Sequence, residues 1–322
     1  MRFEEFKEVV KERVVSFLPE KYEDAVVRIE EVRKNNGVVL NGLVIRREGS
    51  NIAPTIYLED FYEQLMNGRE LDGILRNIAC LRVEHEVDAF DTSLITDFEQ
   101  CREKIMPRLI NAELNQNILS ERPHILIEDL AVVFYVELGE TRDGMMSTPV
   151  HNALLETWEI ELNELQMLAM GNLEKYGTEK ISTLYGLVMD ILDNCPDCEM
   201  EDALDLFGES GRNEDVYVLS NEQGSHGASV ILNPKTMQKV TELVGPGFYI
   251  IPSSTHEVLI ARASCGMEAE DFERMVREVN DSVVAKQDIL SYHIYRYVPG
   301  IGIVNANNYI NLGVIDMKEV TE

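Results

Sequence analysis

The chain has 322 residues, 45% of them hydrophobic and 27% charged, which are the proportions of a folded protein with one large or two modest domains rather than of a disordered chain. Its formal net charge of −29 repels phosphate backbones and anionic lipid surfaces, and its densest basic pair, Arg46-Arg47, is too short to offset that field, so no nucleic-acid or membrane partner is expected. No stretch approaches the roughly 20 apolar residues of a membrane span, five cysteines are a sparse and odd set for a disulfide framework, and Met1–Leu18 reads as a charge-rich amphipathic helix rather than a signal peptide, which together point to a reducing cytoplasm.

Phe3, Phe6, Val9, Val10, Val14 and Phe17 recur at helical spacing, and Pro19 ends that helix. Val26, Val27 and Ile29 open a strand. Asn35-Asn36-Gly37 is a hairpin signal with a glycine where φ must turn positive, and Val38–Arg46 is the returning strand. Thr55–Leu58 adds a third strand, followed by helices over Glu59–Asn67 and Glu70–Glu86 with Gly68 between them. Asp91–Met106 reads as helical, Leu109–Ala112 as a short strand, and Ile125–Leu138 as a hairpin or two strands buried on both faces. After Trp158, a helix carries Ile160, Leu165, Leu168 and Leu173 on one face, and a second covers Leu184–Leu192.

Residues 194–213 are acidic and contain Pro196, Gly208 and Gly211, which marks a linker. Beyond it, Val216–Leu219 reads as a strand and Ala228–Leu232 as a second strand or short extended run. Asn233-Pro234 opens a helix with a cap residue and a proline in the first turn. Phe248–Ile251 is a strand with Glu257–Ala261 as its partner or continuation. Glu270–Val284 is a helix with Phe272, Met275, Val276 and Val279 on one face, and His293–Val314 is β-prone. The pattern implies an α/β protein, with α+β as the alternative: mixed sheets with flanking helices, in two lobes at residues 1–135 and 136–322. Acidic residues crowd Glu156–Asp215 against only Lys175, Lys180 and Arg212, a solvated surface or a docking face for a basic protein partner.

Several segments resemble an uncharacterised family of domain-of-unknown-function proteins from gut clostridia. They are Asn51–Phe61 (NIAPTIYLEDF), Arg108–Leu138, His151–Trp158 (HNALLETW), Leu165–Leu173 (LQMLAMGNL), Val216–Leu232, Phe248–Leu259 (FYIIPSSTHEVL) and Met275–Tyr295. Parts of the second half also resemble another uncharacterised family from Gram-positive bacteria. The resemblance implies one architecture in a fixed order and supplies no reaction. The tail after Tyr297 departs from it.

Three constellations could carry chemistry. Cys195-Pro-Asp-Cys198 has the spacing of a redox pair or half a zinc site, but no second pair completes it, and Asp193, Asp197 and Glu199 disfavour a thiolate, so free thiols and no metal are expected. Ser253, Ser254, His256 and Glu257 follow an apolar strand and are the residue types of nucleophilic hydrolysis. Ser254 and His256, two apart on an extended chain, need not meet, no Gly-x-Ser-x-Gly elbow is present, and Pro252 should interrupt the strand's pairing. The other reading of that run is a turn whose hydroxyls satisfy backbone amides, with His256 packed at a sheet edge. His151 and Asn152 form a second polar cluster near Trp158, His124 precedes an apolar strand as a hydrogen-bonded structural histidine, and Gly224–Gly227 makes a loop that is neither a phosphate-binding nor a dinucleotide fingerprint. No cofactor is implied. The expectation is a non-enzymatic cytoplasmic binding or interaction protein; the alternative is a hydrolase-like or ligand-binding enzyme using Ser253–Glu257.

Overall fold

The computed structural model describes residues 1–86, 90–141, 144–184, 186 and 216–309. Contacts divide the chain into two units, Met1–Ser93 and Leu94–Glu322. In the first, the helix Phe3–Arg13 runs on into a 3₁₀ turn at Val14–Phe17, and Phe6, Val10 and Val14, four apart, bury on its inner face. Strands β1 (Val26–Arg33), β2 (Val39–Arg46) and β3 (Thr55–Tyr57) form a three-stranded antiparallel sheet. The β1–β2 hairpin turns through Asn36 at φ 57° and Gly37 at φ 67°, the left-handed pair that Asn-Gly adopts at least cost. Helices Glu59–Met66 and Leu71–Glu84 complete the unit. Leu43, Ile45, Leu58, Ile74, Leu75 and Ile78 share one core with Phe6 and Val10, and each such side chain withdrawn from water contributes about 1.5–3 kcal/mol. Arg82 belongs to that core at 1% exposure; its Nε donates to the Ile45 carbonyl at 2.7 Å, and its guanidinium lies 4.9 Å from the centre of the Tyr22 ring.

Among the described residues the second unit holds two sheets. Strands β4 (Ile105–Asn111), β5 (His124–Ile127), β6 (Leu130–Thr141) and β7 (Gly144–Pro149) form a four-stranded sheet in which β6 pairs with the other three. Strands β8 (Glu179–Thr183), β9 (Val216–Asn221), β10 (Tyr249–Pro252), β11 (Val258–Ala261), β12 (Tyr295–Val298) and β13 (Gly302–Asn305) form a six-stranded sheet in the order β13-β12-β10-β11-β9-β8. Side chains alternate along β6: Val132, Phe134 and Val136 enter the core shared with Leu219, Ile250 and Tyr295 of the larger sheet, whereas Val133 and Tyr135 fall on the opposite face. Trp158, Leu165 and Leu173, from the helices Asn152–Trp158 and Leu162–Tyr176, pack into the same core. Buried polar side chains tie its elements together. Asn172 Nδ2 donates to the carbonyls of Arg102 (2.7 Å) and Ile105 (2.9 Å), Trp158 Nε1 to that of Ile95 (3.0 Å), and Ser229 Oγ accepts from Leu109 N (2.9 Å).

The expected mixed α/β fold is present, with every described strand pair antiparallel. The lobe boundary expected at residue 135 falls inside β6, and contacts divide the chain at Ser93 instead. The expected helical stretch over Asp91–Met106 is present as short pieces, the helices Ser93–Thr96 and Phe98–Cys101 and a 3₁₀ turn at Arg102–Lys104, and β4 takes over at Ile105. Ala228–Leu232 is a 3₁₀ helix rather than a strand: all five residues are buried, so the apolar run carries no strand signal of its own. On the helix Ala269–Ser282, Phe272 and Val276 are buried with Ala269 and Asn280, while Met275 and Val279 face solvent. Pro252 stays in β10, opposite Val258; β12 pairs only with Tyr249 and Ile250, so the missing N–H falls where the ladder has already ended. Most of the expected helix Leu184–Leu192, both cysteines of the Cys195–Cys198 pair, the 194–213 linker and the chain beyond residue 309 lie outside the described residues.

Candidate functional site

Ser253–Glu257 is the loop of the β10–β11 hairpin. Its polar groups are spent on the loop itself. Ser254 N donates to the Glu257 carbonyl (3.1 Å), His256 N donates to Ser254 Oγ (3.0 Å), and Ser253 Oγ reaches Glu257 Oε1 (3.5 Å). Buried Thr255 locks the loop to its surroundings: its N–H donates to the Asp288 carbonyl (2.8 Å) and its carbonyl accepts from Ala228 N (3.2 Å). The His256 ring is held on both nitrogens. Nδ1 accepts from His226 N at 3.2 Å, which puts the proton on Nε2, 3.4 Å from Asp288 Oδ1. Among the described residues no hydroxyl bonds to the imidazole, so serine, histidine and acid do not line up as a nucleophile and its base.

A different group of side chains does converge. In the β4–β6 register Arg108 stands opposite Val133 and Met106 opposite Tyr135, so Arg108 and Tyr135 are diagonal neighbours on one face, with Glu137 two residues on and Ser147 of β7 opposite it. Arg108 is 8% exposed. Its guanidinium lies 4.1 Å from the centre of the Tyr135 ring, and Nη2 donates to Ser147 Oγ at 2.8 Å. Arg122 approaches the same ring at 5.7 Å and donates to the Tyr135 hydroxyl at 3.0 Å. The His226 ring stacks on Tyr135, with centroids 6.5 Å apart and planes at 23°, and the His256 ring lies 5.6 Å beyond it. A chain of contacts therefore runs Arg108–Tyr135–His226–His256–Asp288.

The loop that delivers His226 has its own logic. Asn221 Oδ1 accepts from Ser225 N (3.2 Å) and its Nδ2 donates to the Ser225 carbonyl (2.8 Å), curling the chain after β9. His226 then takes the left-handed conformation at φ 52°. A side chain on Gly227 would put Cβ 2.2 Å from Ser220 Oγ and 2.6 Å from the His256 carbonyl, so only glycine lets His226 sit there. Burial, reinforced by the Arg108 charge and then by His256, drives the His226 pKa down to about 3, so the imidazole is neutral. Burial also lowers the Arg108 pKa, against the pull of Tyr135 and Glu137, and raises that of Glu137, against the pull of Arg108. Arg108 nevertheless stays charged at any physiological pH. It lines a cavity of about 100 Å³ together with Glu137, His226, Ser225 and Gln223 on the polar side and Met106, Met145, Leu173 and Val230 on the apolar side.

A family model matches residues 3–298, which is most of the chain. The chain belongs to DUF5688, a family of unknown function. The match ends next to Tyr297, where the sequence was expected to depart from its family. No curated protein and no solved structure matches the chain. The DUF5688 match therefore supplies no reaction, and the site's chemistry rests on its geometry.

The other expected site residues of this DUF5688 chain lie apart from that chain of contacts. His151 caps and Asn152 opens the helix Asn152–Trp158, and Asn152 Nδ2 donates to the Ser120 carbonyl at 3.3 Å. His124 Nδ1 bonds the Arg122 carbonyl at 2.9 Å, a local structural contact. A larger open hollow of about 580 Å³ is lined by Glu113, Glu128, Asp129, His124 and His293, but two of its acids are already committed. Asp129 accepts from Ser291 Oγ (2.7 Å) and the Tyr295 hydroxyl (2.5 Å), and Glu128 Oε1 accepts from Asn305 N (3.1 Å). Among the described residues no cluster of three or more His, Cys, Asp or Glu side chains is placed to hold a metal ion, and no helix is long and apolar enough to cross a membrane. Arg108, Tyr135, Glu137 and His226 are absent from the sequence-based expectation. The available signals were an arginine inside the apolar strand IMPRLIN and a histidine flanked by Gly224 and Gly227.

Proposed function

We propose that this chain is a non-enzymatic ligand-binding protein that works from the Arg108 cleft of its second unit. The observation that carries the reading is a permanent cation, nine-tenths buried, that lines an open cavity with one hydrogen bond, to Ser147, and no ion pair among the described residues. A guanidinium withdrawn from water loses hydration that a tyrosine face and one hydroxyl only partly replace. Such a group has N–H donors left over for a ligand. The hydrolase-like alternative at Ser253–Glu257 is disfavoured because both ring nitrogens of His256 are engaged and its neighbouring hydroxyls serve the hairpin.

The charge of −29 supports a basic character for any protein that docks on the outer surface and argues against nucleic acid. Free thiols at Cys80, Cys101 and Cys265 are in keeping with a reducing cytoplasm. The test is a thermal-shift screen of small neutral, cationic and anionic compounds on the wild type and on Thr178→Trp, which fills the mouth of the cleft from an exposed position. The expected result is a set of compounds that raise Tm in the wild type and not in the variant. Hits that survive Thr178→Trp, or esterase activity abolished by Ser254→Ala, would refute the reading.

A further inference from the structure

We propose that the Arg108 cleft binds a short-chain aliphatic carboxylate, with the carboxylate on the Arg108 guanidinium and the hydrocarbon against Met106, Met145, Leu173 and Val230. This rests on the reading above that the cleft is a ligand site, and it commits to the ligand's chemistry. Three features of the cleft select it.

The first is the donor. A guanidinium presents paired N–H groups in a plane that matches the two oxygens of a carboxylate. Arg108 uses one nitrogen, Nη2, on Ser147. The Tyr135 ring 4.1 Å away covers a face of the group and leaves its edges to form hydrogen bonds.

The second is charge. Among the described residues Arg108 is the only cation lining the cleft, and Glu137 lines it too. His226 is held neutral and offers a hydrogen bond rather than a second positive charge. With Glu137 beside Arg108, a doubly charged phosphate adds more negative charge to the site than a singly charged carboxylate does, so the carboxylate is the better match. A cation would face the guanidinium directly.

The third is size and lining. The cavity measures about 100 Å³, which suits a small organic group rather than a large ligand. Met106, Met145, Leu173 and Val230 give that group an apolar wall, and the thioethers can adjust to its shape. Ser225, Gln223 and Asn221 form a polar rim. An acid of two to four carbons meets all three conditions.

The experiment is isothermal titration of the full chain with sodium acetate, propionate and butyrate at constant ionic strength. Propionamide, inorganic phosphate and chloride are the comparison ligands, and Arg108→Met, Arg108→Lys and Thr178→Trp the variants. The expected result is saturable carboxylate binding in the millimolar range and no measurable propionamide or phosphate binding. Arg108→Met should weaken the carboxylate by tenfold or more, and Arg108→Lys, which keeps the charge and loses the paired donors, by less. Phosphate binding in preference to propionate, or carboxylate binding unchanged in Arg108→Met, would overturn the inference. Propionamide binding that Thr178→Trp abolishes and Arg108→Met leaves intact would overturn the carboxylate assignment alone and leave the cleft as a ligand site. A correctly folded wild type that binds none of the carboxylates also overturns the assignment. The thermal-shift screen with Thr178→Trp decides the cleft separately.

Discussion

Arg82 in the first unit and Arg108 in the second are both buried arginines stacked on a tyrosine, at 4.9 Å from Tyr22 and 4.1 Å from Tyr135. Their surroundings differ in kind. Arg82 projects from a helix into a core of Leu43, Ile45 and Ile78, bonds a strand carbonyl through Nε and lines none of the cavities described. Arg108 projects from a strand, bonds a serine hydroxyl on the neighbouring hairpin and lines open space. Residue type and burial alone would give the two the same role. The destination of the remaining N–H groups separates them: in one case packed protein, in the other a cavity.

Four substitutions sharpen or break that contrast, the largest effect first. Arg82→Ala empties a core position and strands the Ile45 carbonyl, at an expected cost of about 2–4 kcal/mol in urea unfolding of the full chain. A loss below about 1 kcal/mol would put Arg82 outside the structural class. His226 gives the second unit a pH signature. Its folded pKa, near 3, lies below the ordinary value of 6.5. Between those values the unfolded chain binds a proton that the folded one does not, so stability falls as pH drops, by up to about 1.4 kcal/mol per pH unit. Above 6.5 the imidazole is neutral in both states and contributes no slope. His226→Asn, which accepts the left-handed backbone, should flatten the stability profile by one proton between pH 4 and 6. An unchanged slope would show that His226 titrates normally. His256→Ala leaves His226 N without its acceptor at a partly exposed site, for about 1 kcal/mol in a thermal melt. Arg108→Met, which trades a poorly compensated buried charge for an apolar chain, should change stability by less than about 1 kcal/mol in either direction. If its cost matches that of Arg82→Ala, the contrast between the two arginines fails.

Local chemistry made part of this fold readable. Asn36-Gly37 fixes its hairpin through backbone preference alone, and Asn233, whose side chain accepts from Lys235 N at 3.0 Å, caps the helix Pro234–Val244 as its sequence implies. Where tertiary contacts decide, the pattern misleads. Ala228–Leu232 is apolar enough for a strand, but Gly227 fits only tightly against Ser220 and His256, and Ser229 bonds Leu109 across the core, which winds the segment into a 3₁₀ helix. β7 carries polar Ser147 and Thr148 and draws its pairing from β6 rather than from any run of its own. The candidate site obeys the same division. Ser253–Glu257 drew notice because its polar residues are consecutive, and consecutive polar groups are well placed to satisfy one another and the backbone between them. Arg108, Tyr135 and His226 are far apart in sequence, and only strand register and a curled loop bring them together.

The turn between β5 and β6 has a temporal consequence. Asp129 accepts from Ser291 and Tyr295, and Asn111 Nδ2 donates to the Leu290 carbonyl, across separations of 162, 166 and 179 residues. At about 5–20 residues per second of synthesis, β4–β6 waits on the order of 10–30 s for those partners to leave the ribosome. Through that interval the Val132–Phe134–Val136 face lacks the strands that cover it, and closing so long a loop adds its own entropy cost. The second unit is therefore a late-maturing body, its first sheet made well before the strands that cover it. A chain released before Leu290 would present the same open face permanently.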